Sequence, residues 1–183
     1  MLSYIKRKVA EFQINRITKN NKRIREFVNI SDAFQIGIIA EIDKKETYRI
    51  VEDFKDYLRT EEDIHHIHSF YYVPLNTLST EYQNTQWKTF ISLQDLNFWG
   101  LPRKSHVETF LNRTYDIVID LSFSTDLPIL YVLSASRARM RVGPFIPLKN
   151  IYFDLIINTG EDKNIKLLIQ TILTMLLVVN QKQ

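Results

Sequence analysis

Two uninterrupted apolar runs decide most of what this chain can become. They are Phe34-Gln35-Ile36-Gly37-Ile38-Ile39-Ala40-Glu41-Ile42 and Tyr115-Asp116-Ile117-Val118-Ile119-Asp120-Leu121. A strand with one wet face alternates apolar and polar residues, whereas a strand covered on both faces reads as a continuous apolar run. Both runs therefore call for helices above and below the sheet.

The segments between them supply those helices. Asp43 is placed to cap a helix over residues 44–59, with Tyr48, Val51, Phe54, Tyr57 and Leu58 as its apolar stripe. Residues 64–73 read as an aromatic-rich strand stopped by Pro74, 75–86 as a polar loop, and 87–93 as a short strand. Phe98-Trp99-Gly100-Leu101-Pro102 is a turn-rich loop before a short helix over 105–111. After the second apolar run, Thr125 and Asp126 introduce a helix to Ser136 with Pro128 in its first turn. Strands over 139–142, ended by Gly143-Pro144, and over 151–157 follow, then a helix over 163–180 capped by Asp162. Strands alternating with helices predict an α/β fold: a single Rossmann-like, open, mostly parallel sheet flanked by helices. Residues 1–30 form a basic N-terminal amphipathic helix and connector, and 31–183 the Rossmann-like domain.

Charge is split along the chain. Of 24 Lys and Arg and 21 Asp and Glu, the first 26 residues hold Lys6, Arg7, Lys8, Arg16, Lys19, Lys22, Arg23 and Arg25 against only Glu11 and Glu26. That segment is net +6 and the remainder net −3, giving +3 overall. A local positive stripe can dock on phosphates or lipid headgroups. Leu2, Ile5, Val9 and Phe12, with Ile17 following loosely, mark the apolar face of the same helix. The final helix is apolar on nearly all sides, which exceeds what covering a sheet requires. Two partners are open to it: the N-terminal helix, with the final helix sandwiched against the sheet, or a second copy of the chain in a homodimer.

Several chemistries are excluded by composition. There is no cysteine, so disulfides, thiolate catalysis and cysteine-ligated zinc are ruled out, and a cytoplasmic home is the expectation. The four glycines are too scattered for a dinucleotide or nucleoside-triphosphate loop, and no Gly-x-Ser-x-Gly elbow is present. No secretory signal follows the basic start, and the apolar stretch over 165–179 is interrupted by Lys166, Gln170 and two Thr. No cofactor is expected.

The candidate site residues each have a structural alternative. Asp120 ends a buried strand and is followed by Ser122, Ser124, Thr125 and Asp126. Ligands of open α/β sheets bind outside the carboxyl ends of strands, and a helix N-terminus there suits an anion; the same residues equally suit capping. Arg137, Arg139 and Arg141 alternate with apolar residues, which puts three guanidiniums on one side of a strand, for a polyanion or as a solvated face. His65, His66 and His68 resemble metal ligands, but no carboxylate at matching spacing completes a set, so no metal is assigned. Phe98-Trp99 beside Arg103-Lys104 offers a stacking surface with positive charge, or a loop anchor.

Two resemblances add to this reading. Residues 96–102, 115–121 and Ser136-Arg137-Ala138-Arg139-Met140-Arg141-Val142-Gly143 resemble an uncharacterised family common in Bacteroidota, a likeness that implies no activity. Residues 115–121 followed by 138–145 are similar to the N-terminal, acceptor-side half of heptosyltransferase-like glycosyltransferases. That likeness covers about thirty residues and implies a Rossmann-like fold; the donor-side domain of those enzymes has no counterpart in this sequence.

Two functions compete. The first is a non-catalytic binding module that docks on an anionic partner through the basic helix, with RNA or a ribonucleoprotein ahead of an anionic membrane surface. The second is a sugar- or phosphate-binding enzyme or relic, with Asp120 as base or hydroxyl ligand, and Ser124 and Thr125 holding the anion with Arg137 or Arg139.

Overall fold

Every strand of the sheet runs the same way. The computed structural model describes residues 2–178, and its six strands lie in the order β3-β2-β1-β4-β5-β6, all parallel. They are β1 (Gln35–Glu41), β2 (His66–Tyr72), β3 (Lys88–Ile91), β4 (Thr114–Asp120), β5 (Arg137–Pro144) and β6 (Leu155–Ile157). The helices are α1 (Leu2–Asn20), α2 (Lys45–Thr60), α3 (Lys104–Leu111), α4 (Leu127–Ala135) and α5 (Ile165–Val178). The expected α/β, Rossmann-like sheet is thus present, wholly rather than mostly parallel. The two apolar runs form β1 and β4, adjacent central strands whose Ile36, Ile38, Ile39, Ile117, Val118 and Ile119 are fully buried. Strand order reverses between them, which makes their carboxyl ends the switch point of the sheet.

Each face of the sheet has its own core. On one, α2 and α5 pack through Val51, Phe54 and Leu58 and through Leu168, Ile169, Ile172 and Leu176. On the other, α3 and α4 pack with α1, through Val107 and Phe110, Ile129 and Leu133, and Ala10 and Ile14. The helix that is sandwiched is therefore α4, not the C-terminal one. Every residue of α4 is buried or half-buried, because the sheet lies on one side of it and α1 on the other. α5 sits on the opposite face and leaves Leu167, Met175 and Leu177 exposed. Residues 179–180, expected to extend it, lie outside the described residues.

α1 packs on the rest of the chain. It buries Ala10 and Ile14, one turn apart, against α4. Of the apolar face read from the sequence, Leu2, Ile5 and Phe12 are 62%, 49% and 69% exposed, while Val9 and Ile17 are half-buried. A small Ala lets the two helix backbones approach closely, and a face with Phe12 at its centre would not. Residues 2–30 thus share one core with the rest of the chain.

The connector after α1 is held by polar bonds to the amino-terminal end of β5. Asn21 Nδ2 donates to the Ser134 and Ser136 carbonyls at the end of α4, at 2.8 and 2.9 Å. The Glu26 amide donates to the Arg139 carbonyl at 3.1 Å. Val28 and Ile30 then enter the core on the α2–α5 side, so the connector passes from one face of the sheet to the other.

Smaller differences have local causes. β5 runs through Gly143-Pro144 rather than stopping there, and the far end of the Phe153 ring occupies the place a Cβ at residue 143 would take. Residues 150–152 form a 3-10 turn, which shortens β6 to three residues. α5 is capped by Asn164, whose Oδ1 accepts the Lys166 and Leu167 amides, and not by Asp162. Asp43 accepts the Thr47 hydroxyl at 2.8 Å and does not cap α2, whose N-cap is Lys44.

Ile14→Ala is expected to cost about 2–5 kcal/mol, because it opens a void in the α1–α4 contact; urea unfolding measures it, and a change near zero would mean that α1 is not part of the core. His68 gives a second expectation. It is 2% exposed against the Trp87 ring, and its Nε2 has no partner. Burial, aided by Arg113 and His66, lowers its pKa to about 4. An unfolded histidine titrates near ~6.5, so stability should fall as pH drops from about 6.5 to about 4 and level off below. In His68→Phe that part of the slope should disappear; an unchanged slope would refute the assignment.

Candidate functional site

At the carboxyl ends of β1 and β4 the chain builds a cleft of ≈ 1050 Å³. Glu41, Leu121–Ser124, the start of α2 and the start of α5 line it, together with Asp126 at the start of α4. This is where an open α/β sheet places a ligand. Free amides at helix N-termini favour anions. The side chains oppose that tendency: Glu41, Asp43, Glu46, Asp126 and Asp162 face Lys44, Lys163 and Lys166. Burial pushes the Glu41 carboxyl above the usual range, and Asp126 and Asp43 push the same way against a Ser124 hydrogen bond.

Asp120 is fully buried beneath this cleft and already occupied. Its Oδ1 accepts the Ser122 amide at 2.9 Å. Its Oδ2 meets the Lys149 ammonium, also fully buried, which donates in addition to the Ser122 carbonyl at 2.8 Å and hydroxyl at 3.0 Å. The pair ties the β5–β6 loop to the end of β4. The expectation that Asp120 serves as base or hydroxyl ligand gives way to a structural ion pair. Ser124 does reach the cleft, where its Oγ accepts the Asp126 amide at 3.0 Å; Thr125 does not line it.

The arginines of β5 lie at the opposite end of the sheet. Arg137 pairs with Thr114 at the start of β4, six residues before Asp120 and so roughly 20 Å away along the strand. The structure therefore does not assemble Ser124 and Thr125 with Arg137 or Arg139. Nor are the three guanidiniums equivalent. Arg141 is 3% exposed and donates to the Ser136 carbonyl. Burial first, then the neighbouring Arg23, lowers its pKa to about 9. Arg139 is held between Glu26 at 2.8 Å and Asp116 at 3.0 Å. Asp116 also accepts the Phe34 and Gln35 amides at the start of β1. Arg137 is exposed and carries no ion pair among the described residues.

A different constellation forms instead. Arg16, Lys22 and Arg23 from α1 and the connector meet Arg137 and Arg139 around a groove of ≈ 800 Å³ that has no acid in its lining. Ile17, Ile24, Ala135 and Ala138 make its apolar floor and rim. Two of the five cations are structural. Arg23 grips both carboxylate oxygens of Asp154 at 2.7 Å and is 6% exposed, so it leaves the set of freely docking residues. Burial would raise the Asp154 carboxyl, but Arg23 and the Arg141 amide hold it below its ordinary value. Arg16, Lys22 and Arg137 remain exposed and without ion pairs among the described residues. Of the other predicted docking residues, Arg7 and Lys8 pair with Glu11, Lys6 lies over the Phe98 ring at 3.8 Å, Arg25 is exposed but 3.9 Å from Asp154, and Lys19 is exposed.

The remaining candidates are accounted for by packing. His66 and His68 both face the Trp87 ring, whose other neighbour is Arg113. Among the described residues no group of three His, Asp or Glu is placed to hold a metal. Trp99 is half-buried, while Phe98 is 62% exposed. One buried network had a legible signal that the sequence reading missed. Lys55 lies on the Val51–Phe54–Leu58 stripe, is 1% exposed, and donates to Glu52 at 2.8 Å, which also binds Lys88 and Tyr71. Burial lowers the Lys55 pKa to about 8 against the pull of Glu52. Its position on an apolar stripe marked it. Lys149, in the exposed-looking sequence Pro147-Leu148-Lys149-Asn150, carried no such mark.

Lys149→Met should destabilise the protein by about 3–5 kcal/mol, because it strands the Asp120 carboxylate in the core. Asp120→Leu with Lys149→Met should recover most of that loss. A single variant as stable as the parent in urea would contradict a buried ion pair.

No curated protein and no solved structure matches the chain. One family model does, over residues 6–179, and it therefore takes in most of α1 with the whole sheet. The chain belongs to that family, DUF6913, a family of unknown function.

Proposed function

We propose that this protein is a non-catalytic docking module that works in the cytoplasm and binds a phosphate-rich partner through the cationic surface of α1, the connector and the start of β5. The observation that carries this reading is the groove: five Lys and Arg side chains line it without a carboxylate. Unlike charges scattered over a surface, these sit on rigid elements. α1 is packed on α4, and the connector is bonded to β5. Among the described residues Arg16, Lys22 and Arg137 have unused donors that suit phosphate oxygens.

A second reading, a sugar-binding enzyme or relic, has the switch-point cleft in its favour. Its excess of acids argues for a hydroxyl-rich ligand without phosphate. In a thermal-shift panel of neutral sugars and sugar phosphates, that reading expects a neutral sugar to raise the melting temperature and Glu41→Gln to abolish the rise. A panel without a shift would count against it.

Labelled single-stranded RNA serves as the phosphate polymer for testing the first reading. Binding should weaken linearly on a log–log salt plot, with a slope of about −0.7 per phosphate engaged. Arg16→Glu, Lys22→Glu and Arg137→Glu combined should abolish it at low salt. Wild-type affinity in that triple variant would show that the groove is not the docking surface.

A further inference from the structure

We propose that the phosphate-rich partner is an anionic lipid bilayer, on which α1 lies flat with Leu2, Ile5 and Phe12 in the headgroup–acyl boundary. This rests on the docking reading above and names its partner. Because Ala10 and Ile14 point into α4, the helical repeat turns Ile5, Phe12, Arg16 and Lys19 to the opposite side. Ile5 is 49% and Phe12 69% exposed, on a helix whose inner face is made by an alanine and an isoleucine. A soluble surface gains nothing from such a stripe, and contiguous exposed apolar residues rimmed by charge mark an interaction site.

The rim matches one partner. Lys8, Arg16 and Lys19 flank the stripe, and Arg16 continues into the cationic groove. The lone carboxylate among the described residues of α1, Glu11, is bonded to Arg7 and Lys8. The surface extends past the helix: Leu2 and Lys6 share a second groove with Phe98, whose exposed ring lies 3.8 Å from the Lys6 ammonium. Apolar side chains with a basic border are what an interfacial helix presents to anionic lipid. RNA recognition could use the exposed rings of Tyr4, Phe12 and Phe98 and the Arg16 guanidinium, but it gives the aliphatic Leu2 and Ile5 no role. α1 spans 19 residues, roughly 28 Å, and no described helix is long and apolar enough to cross a membrane, so contact is along the surface.

Flotation of the full chain with two vesicle types tests this: phosphatidylcholine alone, and phosphatidylcholine with phosphatidylglycerol three to one. The protein should float with the anionic vesicles and not with the neutral ones. Ile5→Ser with Phe12→Ser, both surface positions, should weaken that partition roughly tenfold or more while leaving binding to labelled RNA at low salt unchanged. Arg16→Gln with Lys19→Gln should weaken both. If the apolar variant floats like the parent, insertion of the stripe is refuted and only electrostatic docking stands. A parent that binds RNA but ignores anionic vesicles overturns the bilayer and keeps the groove. A parent that binds neither overturns both readings.

Discussion

A helix that is apolar on every side cannot remain at a surface, and α4 imposes that constraint on this fold. Pro128, Ile129, Leu130, Val132 and Leu133 leave it no wet face. The sheet covers one side and something must cover the other. α1 does so through Ala10 and Ile14, and this contact decides which residues α1 shows to solvent. Ala10 lets α1 approach α4 closely, and Ile14 fills the contact one turn on. The outward position of Leu2, Ile5 and Phe12 follows.

The connector keeps that orientation in register. Asn21 satisfies carbonyls at the end of α4 that have no partner within the helix. Arg23 and Asp154, and then Glu26, Arg139 and Asp116, link the connector through β5 to the first amides of β1. Charges that look alike in the sequence thus divide into two classes. Those with a carboxylate and carbonyls in reach hold the chain as it crosses the amino-terminal end of the sheet. Those without, Arg16, Lys22 and Arg137, are left facing outward in one groove. The far end of the sheet carries the reverse polarity, with acids around the switch-point cleft.

The fold was largely legible. Continuous β-branched runs at β1 and β4, helical stripes between strands, and Pro128 in the first turn of α4 are local signals that tertiary packing did not override. Legibility ended where a residue's role depends on what comes to meet it. Asp120 and Ser124 are neighbours in sequence, but a lysine almost thirty residues later takes Asp120 out of the cleft. Arg137, Arg139 and Arg141 share a period but meet solvent, a pair of carboxylates and the core in turn. α5 is nearly as apolar as α4, and periodicity alone does not say which of the two is sandwiched.

The sequence by itself determined the class of fold, the helical state of residues 2–20, the concentration of positive charge there, and the absence of cysteine chemistry. Those are properties of composition and of short-range periodicity, and they survive in any tertiary arrangement. The tertiary structure alone decided which face of α1 is spent in the core, which arginines remain free, and that the free ones gather with Lys22 at the end of the sheet opposite Asp120. The physical reason is that burial and charge pairing are set by neighbours distant in the chain, and a helix with two candidate faces is oriented only by the surface it packs on.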